Sequence, residues 1–263
     1  MLLKNKTAVV YGGGGPIGGA VSRAFAREGA RVFLAGRNRE TLDRVVEEIT
    51  ASGGEAEAAQ VDALDEEAVD KHADAIAEKT GAIDVSFNAV GRGDIHGTPV
   101  VDMPFDDFVR PVMIALRSQF LIARAAARQM VKRGSGVILA ITATTARMAI
   151  PEVGGTGVAF DAQQSLCRQL ASELGPKGVR VAWLQTTGIP EALSDPAGPF
   201  PDYGTGTGGM SGEELVAWLQ NKTMLKRLTT LTEVGHVAAF LASDYASAIT
   251  GSGANLSCGS VPG

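Results

Sequence analysis

The stretch that decides the fold is 7-TAVVYGGGGPIG-18, in which an apolar run leads directly into a glycine-rich loop. The run predicts a buried strand, and Pro16 suits the first position of the following helix, where its fixed φ is already helical. Backbone N–H groups and the helix dipole make such a junction a site for an anion, typically a pyrophosphate. Gly13, Gly15 and Gly18 fit the dinucleotide-binding pattern, but a glycine run also fits it by chance. The loop therefore indicates either a nucleotide site or only a tight turn.

Outward from this loop, strand-like runs alternate with helical patterns almost to the end of the chain. Strands are predicted near residues 7–11, 31–35, 56–61, 83–87, 136–142, 179–184 and 254–257. Helices are predicted near residues 17–28, 39–52, 65–79, 106–132, 157–174, 213–222 and 232–243, with Asp65 and Thr232 as N-caps. Several strands are apolar without alternation, as in a parallel sheet covered on both faces. The pattern predicts an α/β fold in which residues 1–263 form one Rossmann-like domain, a doubly wound parallel sheet of about seven strands with helices on both faces.

The composition is that of an ordinary soluble globular protein. The 263 residues carry a net charge of −5 and are 45 % hydrophobic, so neither nucleic acid nor an anionic membrane surface is favoured as a partner. No apolar run of about 18 residues predicts a transmembrane helix, and the N-terminus lacks the apolar core of a signal peptide. Cys167 and Cys258 have no metal-ligand spacing. We therefore predict no metal site and expect two reduced thiols in a cytoplasmic protein.

The end of the second predicted strand carries a signal for cofactor choice. The strand reads RVFLAGRNRE from residue 31, so Gly36 stands where an acidic residue would bind a ribose 2′-hydroxyl. Arg37 and Arg39 follow, and a guanidinium pairs with a 2′-phosphate through charge-assisted hydrogen bonds. This arrangement predicts NADP(H) rather than NAD(H), with Arg37 and Asn38 at the adenosine end. The alternative is that both arginines are solvated at the start of a surface helix.

One segment departs from the alternation of strands and helices. Residues 189–212 are rich in Pro and Gly and follow the sixth predicted strand. Ligands of open α/β sheets bind at the carboxyl ends of the strands, so this position favours a lid over a crevice. We predict a lid within residues 189–226, and the alternative is a disordered excursion.

In their order and separation, the motifs of this chain resemble those of the short-chain dehydrogenase/reductase family over nearly its whole length. The glycine loop is similar to the family's TGxxxGxG motif, with Tyr11 and Pro16 departing from it. Segments 61–63, 88–91 and 187–189 resemble stretches that line the cofactor in the family. FLASDYASAITGSGANLSCG, residues 240–259, is close to the family's C-terminal signature.

The resemblance implies a nicotinamide-dependent oxidoreductase. It also implies a homodimer or homotetramer built on the long helices 106–132 and 157–174. The cofactor-binding residues predicted from the loop, the arginines and the resemblance are Gly12, Gly14, Gly15, Ile17, Gly18, Arg37, Asn38, Asp62, Ala63, Asn88, Ala89, Val90, Gly91, Gly188 and Ile189.

The resemblance fails at the residues that carry the family's chemistry. Members use a Tyr-x-x-x-Lys pair for proton exchange and ribose binding, a Ser that polarises the carbonyl and an Asn that helps hold a water. Alignment of the fifth strand with the family's serine strand gives Ala143 at the serine, Thr156 at the tyrosine and Phe160 at the lysine. Ala115 stands where the Asn is expected, and none of the three tyrosines lies on the helix 157–174. The alignment predicts that all four polar functions are missing.

Three side chains are weak candidates for a substitute proton donor. His96 follows the fourth strand and titrates in the right range, Thr144 follows the fifth strand, and Tyr203 lies in the predicted lid. Each of them is also explained as an ordinary loop or structural residue. We therefore leave three functions open: an NADP(H)-dependent oxidoreductase with a non-standard proton donor, a non-catalytic NADP(H)-binding sensor or partner subunit, and a lyase or isomerase on the same scaffold.

Overall fold

A parallel sheet of seven strands carries the glycine loop near its centre. A computed structural model describes residues 1–148, 150–193 and 212–262. The strands are β1 (Thr7–Tyr11), β2 (Arg31–Gly36), β3 (Glu55–Gln60), β4 (Val85–Asn88), β5 (Gly136–Ala143), β6 (Val179–Thr186) and β7 (Gly253–Leu256). Their order is β3-β2-β1-β4-β5-β6-β7, and every neighbouring pair is parallel. The predicted seven-stranded parallel sheet is confirmed.

Helices cover both faces of this sheet. They are α1 (Pro16–Arg27), α2 (Arg39–Ala51), α3 (Glu66–Thr80), α4 (Phe105–Arg133), α5 (Thr156–Leu174), α6 (Pro190–Leu193), α7 (Gly212–Lys222) and α8 (Leu231–Ala242). One core cluster joins α1, α2 and α8 to the sheet, and a second joins α3, α4 and α5 to the opposite face. The chain is therefore a single Rossmann-like domain, as predicted. Of the helices in the described ranges, none is both long and apolar enough to cross a bilayer.

Strand β1 is buried on both faces. Ala8 and Val10 belong to the cluster under α1, α2 and α8, whereas Val9 and Tyr11 belong to the cluster under α3, α4 and α5. All four residues are at most 2 % exposed. Because successive side chains of a strand point to opposite faces, a strand covered on both sides needs apolar residues at every position. This is why the run reads as continuously apolar in the sequence.

The predicted N-cap is confirmed for α3 and wrong for α8. Asp65 caps α3 and accepts a hydrogen bond from the Ala68 N–H at 3.1 Å. Helix α8 is capped by Thr230, not by Thr232, which lies in its first turn. The Thr230 hydroxyl accepts from the Glu233 N–H, while the Glu233 carboxylate accepts from the Thr230 N–H. This reciprocal capping box satisfies two N–H groups, so it fixes the start of the helix at Leu231.

A neutral hydrogen bond joins the end of β1 to α3. The hydroxyl of Tyr11 lies 3.1 Å from Nδ1 of His72, and the two rings meet edge to face. Burial lowers the pKa of His72 to about 4. Burial, and then the negative charge of Asp70, raise the pKa of Tyr11 above its ordinary value. Both groups are therefore uncharged at pH 7, and the pair carries no charge into the core.

We predict that His72→Gln removes a pH-dependent part of the folding stability. An unfolded imidazole takes up a proton near pH 6.5, whereas the folded one does so only near pH 4. The stability contributed by neutral His72 is therefore complete above pH 6.5 and is lost as the pH falls to 4, by at most about 3 kcal/mol. The Gln side chain still accepts a hydrogen bond from Tyr11 but does not titrate.

Urea unfolding of the parent and the variant between pH 4 and pH 7 measures this effect. The difference in unfolding free energy between the two proteins is expected to move in favour of the variant as the pH falls. His236→Gln, at an exposed histidine of α8, is the matched control and leaves the parent's pH dependence unchanged. A difference that is constant across the range contradicts the prediction.

Candidate functional site

The candidate site lies at the carboxyl edge of the sheet, where the strand order reverses between β1 and β4. The chain builds β1, β2 and β3 outward in one direction and β4, β5 and β6 in the other. The connections that follow β1 and β4 therefore lead to opposite halves of the sheet, and a crevice lies between them. Ligands of doubly wound sheets bind at this kind of switch point.

The glycine loop brings bare backbone close to three neighbours. A Cβ on Gly12 would clash with the carbonyl of Ala89, and one on Gly18 would clash with the carbonyl of Gly12. A Cβ on Gly14 would clash with Thr41 of α2. Gly12 also has a φ of +76°, which side-chain-bearing residues rarely adopt. These three glycines are therefore required by the fold itself, whether or not a ligand binds.

Gly15 has a different reason to be a glycine. It is exposed, and the nearest atom to a Cβ built on it would be the Gly12 carbonyl oxygen at 3.5 Å, so the fold leaves room for a side chain there. Gly15 is the N-cap of α1 and Pro16 is its first residue, as predicted. The N–H groups of Ile17 and Gly18 lie in the first turn, where an α-helix provides no acceptor of its own. An open position beside these donors fits a diphosphate.

The two arginines after β2 have different surroundings. Arg39 forms an ion pair with Asp43 through Nε, at 2.8 Å from one carboxylate oxygen. Arg37 is exposed, and its main-chain oxygen accepts a hydrogen bond from Gln60 Nε2 at 2.9 Å. The hydrogen bond from Gln60 fixes the backbone of Arg37, while the Arg37 side chain remains exposed. Of the two guanidinium groups, that of Arg37 is exposed and that of Arg39 is bound to Asp43.

The predicted adenosine-side residues next to Arg37 have local structural roles as well. Asn38 is the N-cap of α2, and its side-chain oxygen accepts from the Thr41 N–H at 3.3 Å. Asp62 is exposed after β3, and its carboxylate accepts from the Leu64 N–H at 3.0 Å. Ala63 is buried in the core cluster under α3. Asp62 therefore keeps acceptor capacity that faces solvent, and like Arg37 and Asn38 it is exposed.

Asn88 acts through the backbone that follows it. Its side chain is 3 % exposed, with Oδ1 accepting from the Val90 N–H at 3.0 Å and Nδ2 donating to Gln119 at 3.0 Å. The Ala89 N–H donates to the carbonyl of Tyr11 at 2.9 Å. The segment from Ala89 to Gly91 is thereby held against the glycine loop, and Asn88 positions it rather than presenting its own amide to a ligand.

Gly188 and Ile189 lie at the base of the predicted lid. Ile189 is 4 % exposed and belongs to the core, and a Cβ on Gly188 would lie 2.9 Å from Leu219 of α7. Leu215, Leu219 and Leu228 form a small apolar cluster of their own. Helix α7 is thus anchored over the end of β6. The central part of the predicted lid, residues 194–211, lies outside the described residues, and Tyr203 with it.

The four residues aligned with the family's catalytic positions lie along one side of the crevice. Ala115 is buried on α4, and Ala143 is the last residue of β5. Thr156 begins α5, and Phe160 follows one turn later on the same helix. Thr156 and Phe160 are both buried, at 3 % and 4 % exposure. Their side chains therefore make their contacts inside the protein, with the loop that follows β4.

A hydrogen-bonded chain meets Thr156 from that loop. The Thr156 hydroxyl donates to Asp94 Oδ1 at 3.1 Å, and His96 Nε2 lies 3.0 Å from the same hydroxyl. Because the single hydroxyl proton is given to Asp94, His96 Nε2 is the donor in its bond to Thr156. Burial lowers the pKa of His96, with the Asp94 carboxylate opposing this and the Arg92 charge adding to it. His96, a candidate donor from the sequence, and Thr156, which the alignment gives at the family's tyrosine position, are brought together here.

Arg92 and Asp94 are the residues of this group that sequence reasoning missed. Arg92 Nη2 donates to Asp94 Oδ2 at 3.0 Å, and the two side chains are 12 % and 2 % exposed. The guanidinium carbon of Arg92 lies 3.9 Å from the centroid of the Phe160 ring. The signal in the sequence is the spacing of polar residues at positions 92, 94 and 96 in the loop after β4. Nothing in that spacing indicates that the side chains turn inward.

Thr144, the third candidate donor, is engaged elsewhere. It is 1 % exposed, and its hydroxyl donates to Thr187 Oγ1 or to Met148 Sδ, both at 3.2 Å. The bond to Thr187 connects the end of β5 with the segment after β6. A cleft of about 410 Å³ is lined by residues 98–100, which follow His96 in the chain, and by residues 150–154, which precede Thr156.

Known proteins resemble this chain over nearly its whole length. A family model described as enoyl-(acyl carrier protein) reductase matches residues 14–260. The chain is 33 % identical over 249 residues to an uncharacterized oxidoreductase of Bacillus subtilis, which covers 95 % of this chain and 88 % of the relative. It is 30 % identical over 260 residues to the 7alpha-hydroxysteroid dehydrogenase of Escherichia coli. This match covers 98 % of this chain and 95 % of the relative.

A solved structure gives the same result for the fold. The NAD+-bound xylitol dehydrogenase superposes with a TM-score of 0.88 at 26 % identity, over 98 % of this chain and 100 % of that one. The reversal of strand order, the glycine loop and the matched span agree with one another. The chain belongs to the short-chain dehydrogenase/reductase family of oxidoreductases.

Proposed function

We propose that the protein is an NADP(H)-dependent oxidoreductase that acts on a carbonyl or enoyl group of a small molecule. The observation that carries the choice of NADP(H) is the exposed Arg37 guanidinium directly after β2, where Gly36 leaves no acid to repel a phosphate. The neighbouring Arg39 is already paired with Asp43. The NAD+ of the xylitol dehydrogenase belongs to that protein, and the proposal for this chain rests on Arg37.

The described residues fit such a nucleotide along the whole crevice. The loop from Gly12 to Gly18 would hold the diphosphate through main-chain N–H groups, and Arg37 would hold the 2′-phosphate. Asp62 and Ala63 would meet the adenine, and the backbone from Ala89 to Gly91 would line the other half. A bound NADPH supplies a hydride, so the protein itself has to deliver only a proton.

We propose His96 and Thr156 as the pair that delivers this proton. His96 Nε2 donates to the Thr156 hydroxyl, and the segments that line the cleft follow His96 and precede Thr156 in the chain. With His96 in its imidazolium form, the hydroxyl would turn from Asp94 and pass its proton to the substrate oxygen while it takes the proton of His96 Nε2. Water would then return a proton to the neutral imidazole. A positioned acid of this kind contributes roughly 10²–10⁴ in rate. Thr156 alone would not suffice, because the pKa of an aliphatic hydroxyl is too high for it to act as the general acid.

A second candidate function is a non-catalytic NADP(H)-binding protein. Ala115 and Ala143 bring no polar group to the crevice. Burial lowers the pKa of His96, so the ring is mostly uncharged at neutral pH and little of the acidic imidazolium is present. A sensor or partner subunit needs the nucleotide-binding residues but no proton donor, so this arrangement also supports that function.

The two candidates are separated by binding and turnover. Fluorescence titration with NADPH and NADH measures binding, and NADPH absorbance over a panel of carbonyl and enoyl compounds measures turnover. Turnover supports the oxidoreductase, whereas tight NADPH binding without turnover of any compound supports the non-catalytic protein. If neither nucleotide binds detectably, both candidate functions are ruled out.

We also propose that the protein is a homodimer or homotetramer built on α4 and α5. The two helices pack together, and each leaves large apolar side chains exposed: Met113 and Phe120 on α4 are 58 % and 46 % exposed, and Val158 on α5 is 49 % exposed. An apolar surface of this kind favours a protein partner. Phe120→Asp is expected to shift the parent oligomer toward the monomer in light scattering, while an unchanged mass contradicts the arrangement.

Arg37→Ala is predicted to weaken NADPH binding roughly 10- to 100-fold, which corresponds to the loss of one charge-assisted hydrogen-bond pair. NADH lacks the 2′-phosphate, so its affinity is expected to change less than about threefold by the same reasoning. Titration of both nucleotides measures the ratio of their dissociation constants. Arg39→Ala is the matched control, because Arg39 is also exposed but is bound to Asp43. If the two variants change the ratio equally, Arg37 does not select the phosphate.

His96→Gln is predicted to lower turnover of a responsive panel compound by roughly 10²-fold or more while leaving the NADPH dissociation constant unchanged. Reduction consumes a proton, and the pKa of His96 is lowered from its ordinary value of 6.5. The parent rate is therefore expected to rise as the pH falls below 6.5, because the imidazolium is the stronger acid.

This acid-side rise is expected to disappear in His96→Gln and to persist in the control His236→Gln. The imidazole pKa of His96, followed by NMR in the nucleotide-free protein, is expected below 6.5. Full turnover with an unaltered pH profile in His96→Gln would rule out His96 as the donor.

A further inference from the structure

A buried ion pair ties the loop after β4 to the start of α5. The pair is formed by Arg92 and Asp94, whose side chains are 12 % and 2 % exposed. Asp94 uses Oδ2 for Arg92 and Oδ1 for the Thr156 hydroxyl. Burying a charge is unfavourable unless it is paired, so both carboxylate oxygens have to be used if the loop is to lie inward. Asp94 is thus fixed on two sides.

The guanidinium of Arg92 is fixed on two sides as well. Asp94 holds its Nη2, and its Cζ lies 3.9 Å from the centroid of the Phe160 ring. A planar cation stacked on an aromatic face and bound at one end by a carboxylate has little freedom to rotate. Phe160 is itself 4 % exposed and packed on α5. The position of the charge is therefore set by the fold rather than by solvent.

One donor of this cation is left without an acceptor. Arg92 Nε is shielded from solvent and, among the described residues, has no hydrogen-bond partner. An unsatisfied buried donor on a charged group is costly, and native structures retain such a group where another partner completes it. An oxygen atom of a bound molecule would complete it. The orphaned Nε is the observation that points to a ligand.

The order of the strands identifies which part of a nucleotide would bring that oxygen. Arg37 follows β2 and marks the adenosine half, and the glycine loop after β1 marks the diphosphate. The other half of the nucleotide must then extend over β4 and β5, on the far side of the diphosphate. Arg92 lies in the loop after β4, and Phe160 lies on the helix after β5. Both belong to that side of the crevice.

We propose that Arg92 is the cation that binds the nicotinamide half of the nucleotide, through a hydrogen bond that its Nε donates to an oxygen of the ribose or the carboxamide. Asp94 and Phe160 are positioning residues for this cation. The inference rests on the nucleotide-binding role proposed above. It adds the residue that binds the nicotinamide half, where hydride transfer takes place. It also explains Phe160, which stands where the resemblance predicts a lysine. The Phe160 ring stacks on the Arg92 guanidinium, so a cation is still present at this place.

The test compares NADPH with adenosine 2′,5′-bisphosphate, which keeps the adenosine end and lacks the nicotinamide half. Arg92→Leu combined with Asp94→Asn removes both charges together, so no unpaired charge is left buried. This double variant is expected to bind NADPH at least 10-fold more weakly than the parent and to bind the bisphosphate within twofold of it. Isothermal titration gives both dissociation constants without any turnover.

The matched control is Arg133→Leu combined with Asp84→Asn. It removes the same kind of pair, at 3.3 Å between Nη1 and Oδ1, from the opposite edge of the sheet. It is expected to bind both ligands like the parent. Adding Phe160→Lys to the first double variant restores a cation at the same place, and most of the lost NADPH affinity is expected to return.

Several outcomes overturn the inference. One is an NADPH affinity within twofold of the parent in the folded double variant, as judged by circular dichroism. Another is an equal loss for the bisphosphate, because that is general damage to the crevice. A triple variant that binds NADPH as weakly as the double variant also overturns it, because a restored positive charge would then not restore NADPH binding. If the parent itself binds neither NADPH nor NADH, the proposed function fails first, and this inference fails with it.

Discussion

The structure depends on a contact between two stretches of backbone, the glycine loop after β1 and the segment that leaves β4. Gly12 lies against the carbonyl of Ala89, and Gly18 lies against the carbonyl of Gly12, with no side chain between them. A single methyl group at either glycine would separate α1 from the sheet or β1 from the β4 loop. This closeness makes the crevice narrow at its base and leaves main-chain N–H groups as its lining. The nucleotide site is therefore a consequence of backbone packing.

Buried polar groups then fix what stands around that crevice. The amide of Asn88 holds the Val90 N–H on one side and Gln119 of α4 on the other, so the loop after β4 leaves the sheet in one direction. Further along the same loop, the Asp94 carboxylate is shared between Arg92 and Thr156. Each group is buried at the end of a strand or helix, where an unmade hydrogen bond is costly. The loop is thereby held inward against α5.

Much of the fold could be predicted from the sequence, because its main signals are local. Continuous apolar runs predicted buried strands, and Pro16 marked the start of α1 where the structure has it. The errors have local causes too. The prediction of Thr232 as the cap of α8 is wrong because Thr230 and Glu233 form the reciprocal pair. The four-residue helix α6 offers too few positions for any periodicity to be read.

The sequence by itself determined the family, the parallel sheet and the glycine cradle, since these follow from residue order along single elements. It also pointed to His96 as a candidate donor in one loop and to Thr156 at the aligned tyrosine position of one helix, without their connection. Only the tertiary structure decided that they meet and that Asp94 joins them to Arg92 above Phe160. The physical reason is that a charge turns inward only where partners from another element satisfy it, and those partners lie some 60 residues away along the chain.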